Sequence, residues 1–321
     1  MWQTIGHSWA VEHLERSLIT NRIARANLFT GPANIGKTHL ALEVAAALNC
    51  RGTEPPCGIC RDCLQTSAGT YADLLLVEPD DGRIKIDQIR DLQYELALSP
   101  HEGRWRVCIL TDFHTTTTEA ANALLKTLEE PPSRVVLLLT ALDPGLLLPT
   151  IVSRCRLLPL RPVPAQTIAD ALVTRYRADP DTAQKVARLA AGRVGWAIRA
   201  LEDSSLLEQQ EQDVEMLLML ISKGQAAKIQ AAEAVAKRDD VRPVLHAWQT
   251  VWRDIMLIAA GRDDLVVKLG HNMELRKVAH QVSLDQARRA ISRAQDALAQ
   301  IEQNVNARLA LETMLLSWNY L

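Results

Sequence analysis

Ala26-Asn27-Leu28-Phe29-Thr30-Gly31-Pro32-Ala33-Asn34-Ile35-Gly36-Lys37-Thr38 is a short apolar run that ends in a glycine-bounded loop and opens onto the helical pattern His39–Leu48. The loop fits G-x-x-x-x-G-K-[ST], and it sits between a strand and a helix, the setting that gives the pattern its meaning. Backbone N–H groups of such a loop, together with the helix start, point at a bound phosphate. Gly31 and Gly36 bound the cradle, Lys37 is spaced to reach the outer phosphates, and Thr38 to contact Mg²⁺. The expected ligand is ATP or ADP with Mg²⁺. A chance glycine-rich turn is the competing reading, and the strand–helix setting argues against it.

Working outward, residues 1–162 alternate short apolar runs with helical patterns, which predicts a parallel sheet with helices on both faces. The predicted strands are Ala26–Thr30, Leu74–Glu78, Val107–Leu110, Val135–Thr140 and Leu157–Leu160. Each is nearly continuous in apolar residues, as expected where both faces are covered. Pro162 and Pro164 mark a linker. Short helices follow to about Leu201, and helix after helix from about Ser204 onward, giving expected domains at 1–162, 163–203 and 204–321. Ser283 reads as the N-cap of a helix whose buried stripe is Leu284, Ala287, Ile291, Ala294, Leu298 and Ile301.

Two further features carry chemistry. In a phosphate-loop ATPase the next catalytic strand ends in Asp, to hold Mg²⁺, and often in Glu, to orient water. Here Val107-Cys108-Ile109-Leu110 runs into Thr111-Asp112. If Thr111 takes the Asp position, the metal ligand is missing and Asp112 stands where the water-orienting acid belongs. A one-residue slip makes Asp112 the metal ligand instead. In either register one acid is absent, so slow hydrolysis or none is expected. The second feature is Cys50-x₆-Cys57-x₂-Cys60-x₂-Cys63, four thiols within 14 residues. Four soft ligands suit tetrahedral Zn²⁺, and four cysteines leave no open position, so the site would be structural. A redox pair or unrelated free thiols is the competing reading.

A chain of 321 residues and net charge −2 is long enough for two or three domains and is no electrostatic nucleic-acid binder as a whole. No apolar run approaches the ~20 residues needed to span a bilayer, and the N-terminus lacks a charged-then-apolar signal. The cytoplasm is the expected location, with no membrane partner. Arg22, Arg25, Arg104 and Arg106 are candidates for a local basic patch.

The cysteine excursion directly after the phosphate-loop helix resembles that of bacterial DNA polymerase III clamp-loader subunits of the AAA+ class. So does Glu119-Ala-Ala-Asn122-Ala-Leu-Leu-Lys126-Thr-Leu-Glu129-Glu130-Pro131-Pro132, followed by a strand and then Ser153-Arg154-Cys155. Asn304-Val-Asn306-Ala-Arg-Leu-Ala-Leu-Glu312 resembles the last collar helix of these subunits. The resemblance implies an AAA+ domain with an inserted zinc module at 50–63, a small helical lid and an all-α collar. Within the family the chain is more similar to the delta-prime type than to the gamma/tau motor. Thr111-Asp112 replaces the motor's Asp-Glu, Ala141 stands at a polar sensor position, and Gly195 stands where a motor carries a second-sensor arginine.

That resemblance also implies partners: a pentameric ring with delta and gamma/tau subunits that opens the sliding clamp and places it on primed DNA. Within the ring Arg154 would reach the ATP of the adjacent motor subunit. An ordinary surface arginine paired with a carboxylate is the competing reading. Gly6-His7 falls in the segment that lines the adenine pocket, and Asn122 and Lys126 share a helix face that meets DNA, clamp or solvent. Two rival functions are an ATP-hydrolysing gamma/tau-like motor, favoured by the intact loop, and a zinc-containing nucleic-acid binder, disfavoured by the near-neutral charge.

Overall fold

All five apolar runs are strands, with ends shifted by at most a residue or so. In chain order the first part contains α1 (Ser8–Ile19), β1 (Ala26–Thr30), α2 (Lys37–Asn49), α3 (Arg61–Ser67), β2 (Leu74–Val77) and α4 (Ile86–Ala97). Next come β3 (Arg106–Leu110), α5 (Thr118–Glu129), β4 (Val135–Ala141), α6 (Pro149–Val152), β5 (Arg156–Pro159) and α7 (Ala165–Tyr176). The computed structural model describes residues 2–20, 22–263, 266, 272–302 and 305–318. Asn304, the first residue of the collar-like stretch, lies outside them.

The strands form one parallel sheet in the order β2-β3-β4-β1-β5. Every residue of β1, β3 and β4 is buried, which accounts for their unbroken apolar sequence. Alternate side chains serve opposite faces. Leu28, Cys108, Leu110, Leu137 and Leu139 pack under α4 and α5. Phe29, Val107, Ile109, Val136 and Leu138 pack under α1 and α2. At the far edge β2 is only four residues long, and its Leu76 is exposed.

One buried charge breaks the apolar pattern of β3. Arg106 is 5% exposed and its Nη2 lies 3.4 Å from the fully buried Asp73. Asp73 also accepts the N–H groups of His101, Glu102 and Gly103 at 2.6, 2.9 and 2.7 Å. This carboxylate therefore holds the loop between α4 and β3 onto the start of β2.

The chain divides into two compact units, Met1–Ala178 with Gly192–Ala197, and Asp179–Ala191 with Ile198–Leu321. The second contains α8 (Pro180–Leu189), most of α9 (Val194–Glu202), α10 (Ser205–Ile221), α11 (Gln225–Ala236), α12 (Arg242–Ala259), α13 (Asn272–Gln281), α14 (Leu284–Glu302) and α15 (Ala307–Ser317). Its centre is aromatic: Trp248 and Trp252 both meet Trp318 edge-on, at centroid separations of 5.8 and 5.4 Å. Ser283 caps α14 as expected, with its Oγ accepting from Gln286 N–H at 3.2 Å and Gln286 returning a bond to Ser283 N–H at 2.8 Å. The buried stripe is rotated from the expected one. Ala287, Ala290, Ala294 and Ala297 are buried and Leu284 is 48% exposed. Small residues let α14 lie close against α12, and the larger side chains fall to the flanks. Among the described residues no helix is long and apolar enough to cross a membrane.

Burial works against ionisation of Asp73, yet the three backbone donors and Arg106 outweigh it and hold the carboxyl below its ordinary value. Its contribution to stability is thus present above the unfolded value of about 3.9 and is lost as pH falls through the lower folded value. Asp73→Asn is expected to cost about 1.5–3 kcal/mol at pH 7. Urea denaturation should show the gap between variant and parent narrowing as the pH is taken below about 4.

Candidate functional site

The loop after β1 is held by short backbone contacts. Gly31 donates its N–H to the carbonyls of Ala141 and Leu142, so the ends of β1 and β4 are tied where the loop begins. Its φ is 143°, and a Cβ there would lie 2.4 Å from the Leu160 carbonyl oxygen. Gly36 caps α2, whose first residue is Lys37. Lys37 is 5% exposed and donates to the Gly31 and Pro32 carbonyls at 2.7 and 2.9 Å. Its ammonium is thereby folded back over the loop it would share with a phosphate. Thr38 follows, half-buried in the first turn of α2.

Two other segments close on this loop. His7, expected in the segment that lines an adenine pocket, is buried, and its Nε2 lies 3.1 Å from the Ile35 carbonyl. Burial holds this imidazole below its ordinary pKa, against the opposing pull of the Ile35 hydrogen bond. Glu43 on α2 fixes the same N-terminal segment, accepting from Thr4 N–H at 3.0 Å and from Gln3 N–H and Thr4 Oγ1. On the other side Gly195 donates its N–H to the Asn34 carbonyl at 2.8 Å, and a Cβ at Gly195 would stand 3.1 Å from that oxygen. Arg193 lies over the Trp196 ring, 5.6 Å from its centroid.

At the strand ends, Thr111 follows β3 directly and is buried, with its N–H on the Val77 carbonyl at 2.9 Å. It continues the alternation of Val107 and Ile109, the side that faces α2. Asp112 leaves the ladder in a left-handed conformation, φ 44°, and is exposed. Its N–H is held by Thr140 Oγ1 at 2.9 Å. Thr140, which sequence reasoning treated only as a strand residue, thus supplies the polar group at the end of β4, one position before Ala141. The strand phase of Thr140, matching Val136 and Leu138, was the available signal.

The four cysteines converge. The sulfurs of Cys50, Cys57, Cys60 and Cys63 all lie within 4.8 Å of one another. Backbone N–H groups point at them: Gly52 and Cys57 at Cys50, Cys60 at Cys57, and Cys63 at Cys60, over 3.3–3.5 Å. Such donors favour thiolates, and those of Ile59 and Cys60 draw the Cys57 thiol down to about 6. This set could hold a metal ion. Arg104 closes the neck of the excursion by donating to the Cys50 carbonyl, and Asn49 bonds both the N–H and the carbonyl of Trp105. Three of the four arginines considered as a basic patch have structural partners: Arg104 at the Cys50 carbonyl, Arg106 paired with Asp73, and Arg25 over the Trp105 ring at 5.0 Å; Arg22 is exposed.

Arg154 ends the turn after α6. It enters β5 from the N-terminal end, whereas the phosphate loop leaves β1 at the C-terminal end. These strands are parallel, with Asn27 opposite Arg156 and Thr30 opposite Pro159. At about 3.3 Å per residue the two features lie at opposite ends of the sheet, more than about 13 Å apart along the strand axis. The side chain of Arg154 is 31% exposed and pairs with Glu129 at 2.9 Å. Asn122 and Lys126 are both exposed on α5.

A family model described as DNA polymerase III, delta subunit, matches residues 6–164. The delta′ subunit of Pseudomonas aeruginosa DNA polymerase III is 34% identical over 310 residues, covering 92% of each chain. This chain belongs to the delta′ subunit family of DNA polymerase III. The family's Bacillus subtilis delta′ is 29% identical over 311 residues, covering 94% of this chain and 93% of that one. Similarity extends to the tau subunit of Escherichia coli, 31% identical over 253 residues, where the match covers 75% of this chain and 39% of tau.

The tight approach at Gly31 is a direct test of the loop. Gly31→Ala is expected to destabilise the fold by about 1–3 kcal/mol, the usual range for overpacking, read as a lower urea midpoint at unchanged slope.

Proposed function

We propose that this protein works as the delta′ subunit of a clamp loader: it joins delta and gamma/tau subunits in a pentameric ring that uses ATP to place the sliding clamp on primed DNA. Residues 163–203 serve as the helical lid and 204–321 as the collar through which the ring assembles, in the cytoplasm. The observation that carries the reading is the position of Arg154 at the end of the sheet opposite to its own phosphate loop. An arginine there is remote from the chain's own nucleotide and suited to one bound by a neighbour. A guanidinium is planar, permanently charged and matched to phosphate oxygens. Supplied in trans, such a group is worth about 10³–10⁵ in rate.

The nucleotide role is asymmetric. Gly31, Gly36, Lys37 and Thr38 retain what binding ATP or ADP requires, while Thr111, Ala141 and Gly195 lack the side chains that position Mg²⁺, water and the γ-phosphate. Asp112, exposed and out of strand phase, is a poor ligand unless the loop moves. The rival motor reading rests on the intact loop. Lys37→Ala is expected to abolish nucleotide binding in an equilibrium titration, and the parent chain alone should hydrolyse ATP far below the rate of the assembled complex.

The cysteine module holds one structural Zn²⁺ in this reading. Tetrahedral Zn–S bonds of about 2.3 Å set sulfurs about 3.8 Å apart, close to the arrangement of the four thiols. Elemental analysis of chelator-free preparations should find one zinc per chain. Its removal should loosen residues 50–63 to protease while the sheet, which has its own core, stays folded.

Arg154→Ala tests the central claim. The variant should fold, keep its zinc and bind nucleotide as before, yet lower the ATPase and clamp-loading rates of the reconstituted complex, with Lys failing to restore them. Unchanged rates would reduce Arg154 to an ordinary surface residue.

A further inference from the structure

Arg154 is held, and by more than one group. Its Nε and Nη2 both donate to Oε2 of Glu129, at 3.2 and 2.9 Å. Its Nη1 donates to the Thr150 carbonyl at 3.1 Å. That carbonyl also accepts from Ser153 Oγ at 3.2 Å. A guanidinium carries five N–H groups in one plane. Glu129 takes Nε and one N–H of Nη2, and Thr150 takes one N–H of Nη1. One N–H is left on each terminal nitrogen. Two such groups let an arginine grip two phosphate oxygens at once.

Both holders stand on the same rigid base. Glu129 is the last residue of α5, which is anchored beneath the sheet by Ala120, Ala121, Leu124 and Leu128. Thr150 lies in α6, whose Ile151 is fully buried in the same core, with Val152 and Cys155 packed against it. Cys155 is largely enclosed, and burial drives its thiol up to about 12, so it acts here as an apolar peg. The backbone on either side of Arg154 is therefore fixed, and its four rotatable bonds are the remaining freedom. Glu129 biases that freedom toward one orientation before any neighbour arrives.

We infer that Glu129 is a positioning residue for Arg154: its carboxylate orients the guanidinium so that the two remaining N–H groups face the phosphates of a nucleotide bound by the adjacent subunit. The inference rests on the trans reading of Arg154 and adds to it a second residue, which contacts no nucleotide itself. An exposed ion pair contributes little to stability, so removing Glu129 should leave the fold intact and act on rate alone. Prepaying the orientation of a catalytic group lowers the barrier. Misplacement by about an ångström can cost about 10² in rate at the affected site.

The test uses the reconstituted complex with clamp and primed DNA, comparing Glu129→Ala, Glu129→Gln, Arg154→Ala and the double variant Glu129→Ala/Arg154→Ala. Glu129→Ala should lower the steady-state kcat for ATP several-fold while KM stays within about two-fold, since ATP binds the neighbour's own loop. Glu129→Gln keeps an oxygen that can accept from Nε and Nη2, and its rate should fall between those of Ala and the parent. The double variant should be no slower than Arg154→Ala alone, because Glu129 acts only through the arginine. If Arg154→Ala slows the complex while Glu129→Ala leaves kcat unchanged or raises it, the positioning role is wrong and the trans arginine stands. Additive losses in the double variant, or a Gln variant as slow as Ala, would equally overturn it. If Arg154→Ala has no effect, the trans reading fails first. Should Glu129→Ala not fold, the near-isosteric Gln variant, alone and combined with Arg154→Ala, decides the question.

Discussion

The pairing of β1 with a parallel neighbour on each side is the constraint on which this molecule depends. Thr30 stands opposite Ala141 on one flank and Pro159 on the other. That register, with Leu110 of β3 opposite Leu139 of β4, fixes where the strands end and so where the phosphate loop, Thr140 and Thr111 are placed. It equally fixes what lies at the other end of the sheet. A parallel strand can be entered only from its N-terminal end, so the residue that precedes β5 is kept away from the loop that follows β1. The separation of Arg154 from the phosphate loop is thus a property of strand direction, before any side chain is considered.

The loop itself is complete but clasped. Asn34 and Ile35 offer their carbonyls to Gly195 and His7, and Lys37 bonds the Gly31 and Pro32 carbonyls. Gly195 is the informative member. A side chain there would press on the Asn34 carbonyl, so the glycine both lacks an arginine's reach and permits the segment to lie against the loop.

Much of this was legible in the sequence because it rests on local pattern. Unbroken apolar runs marked the strands, the Ser283–Gln286 spacing marked a helix start, and the cysteine spacing marked a cluster. What escaped depends on pairs distant along the chain. Arg106 looked like a surface charge because Asp73, 33 residues earlier, is what makes it a buried one. His7 found Ile35, Arg25 found Trp105, and Arg154 found Glu129, each across a gap that no periodicity spans. The stripe of α14 was misjudged for another reason. Hydrophobicity alone favoured Leu284 over Ala290, whereas the closeness of α12 rewards the smaller residue.

The short edge strand has a consequence for how the protein behaves in a crowded solution. Odd-numbered residues of β2 bond to β3, as the Asp73 and Val77 carbonyls do, so the peptide groups of Leu74 and Leu76 turn outward. With Leu76 exposed, this is a template on which a second unfolded chain could add a strand. Four residues offer few bonds to such an intruder. Gln88 already occupies the Glu78 carbonyl at 2.9 Å, and the Tyr71 carbonyl takes the Leu74 N–H at 3.0 Å. Brevity and two satisfied peptide groups guard the open side of the sheet against aggregation, while its other strands remain free to be as apolar as the core demands.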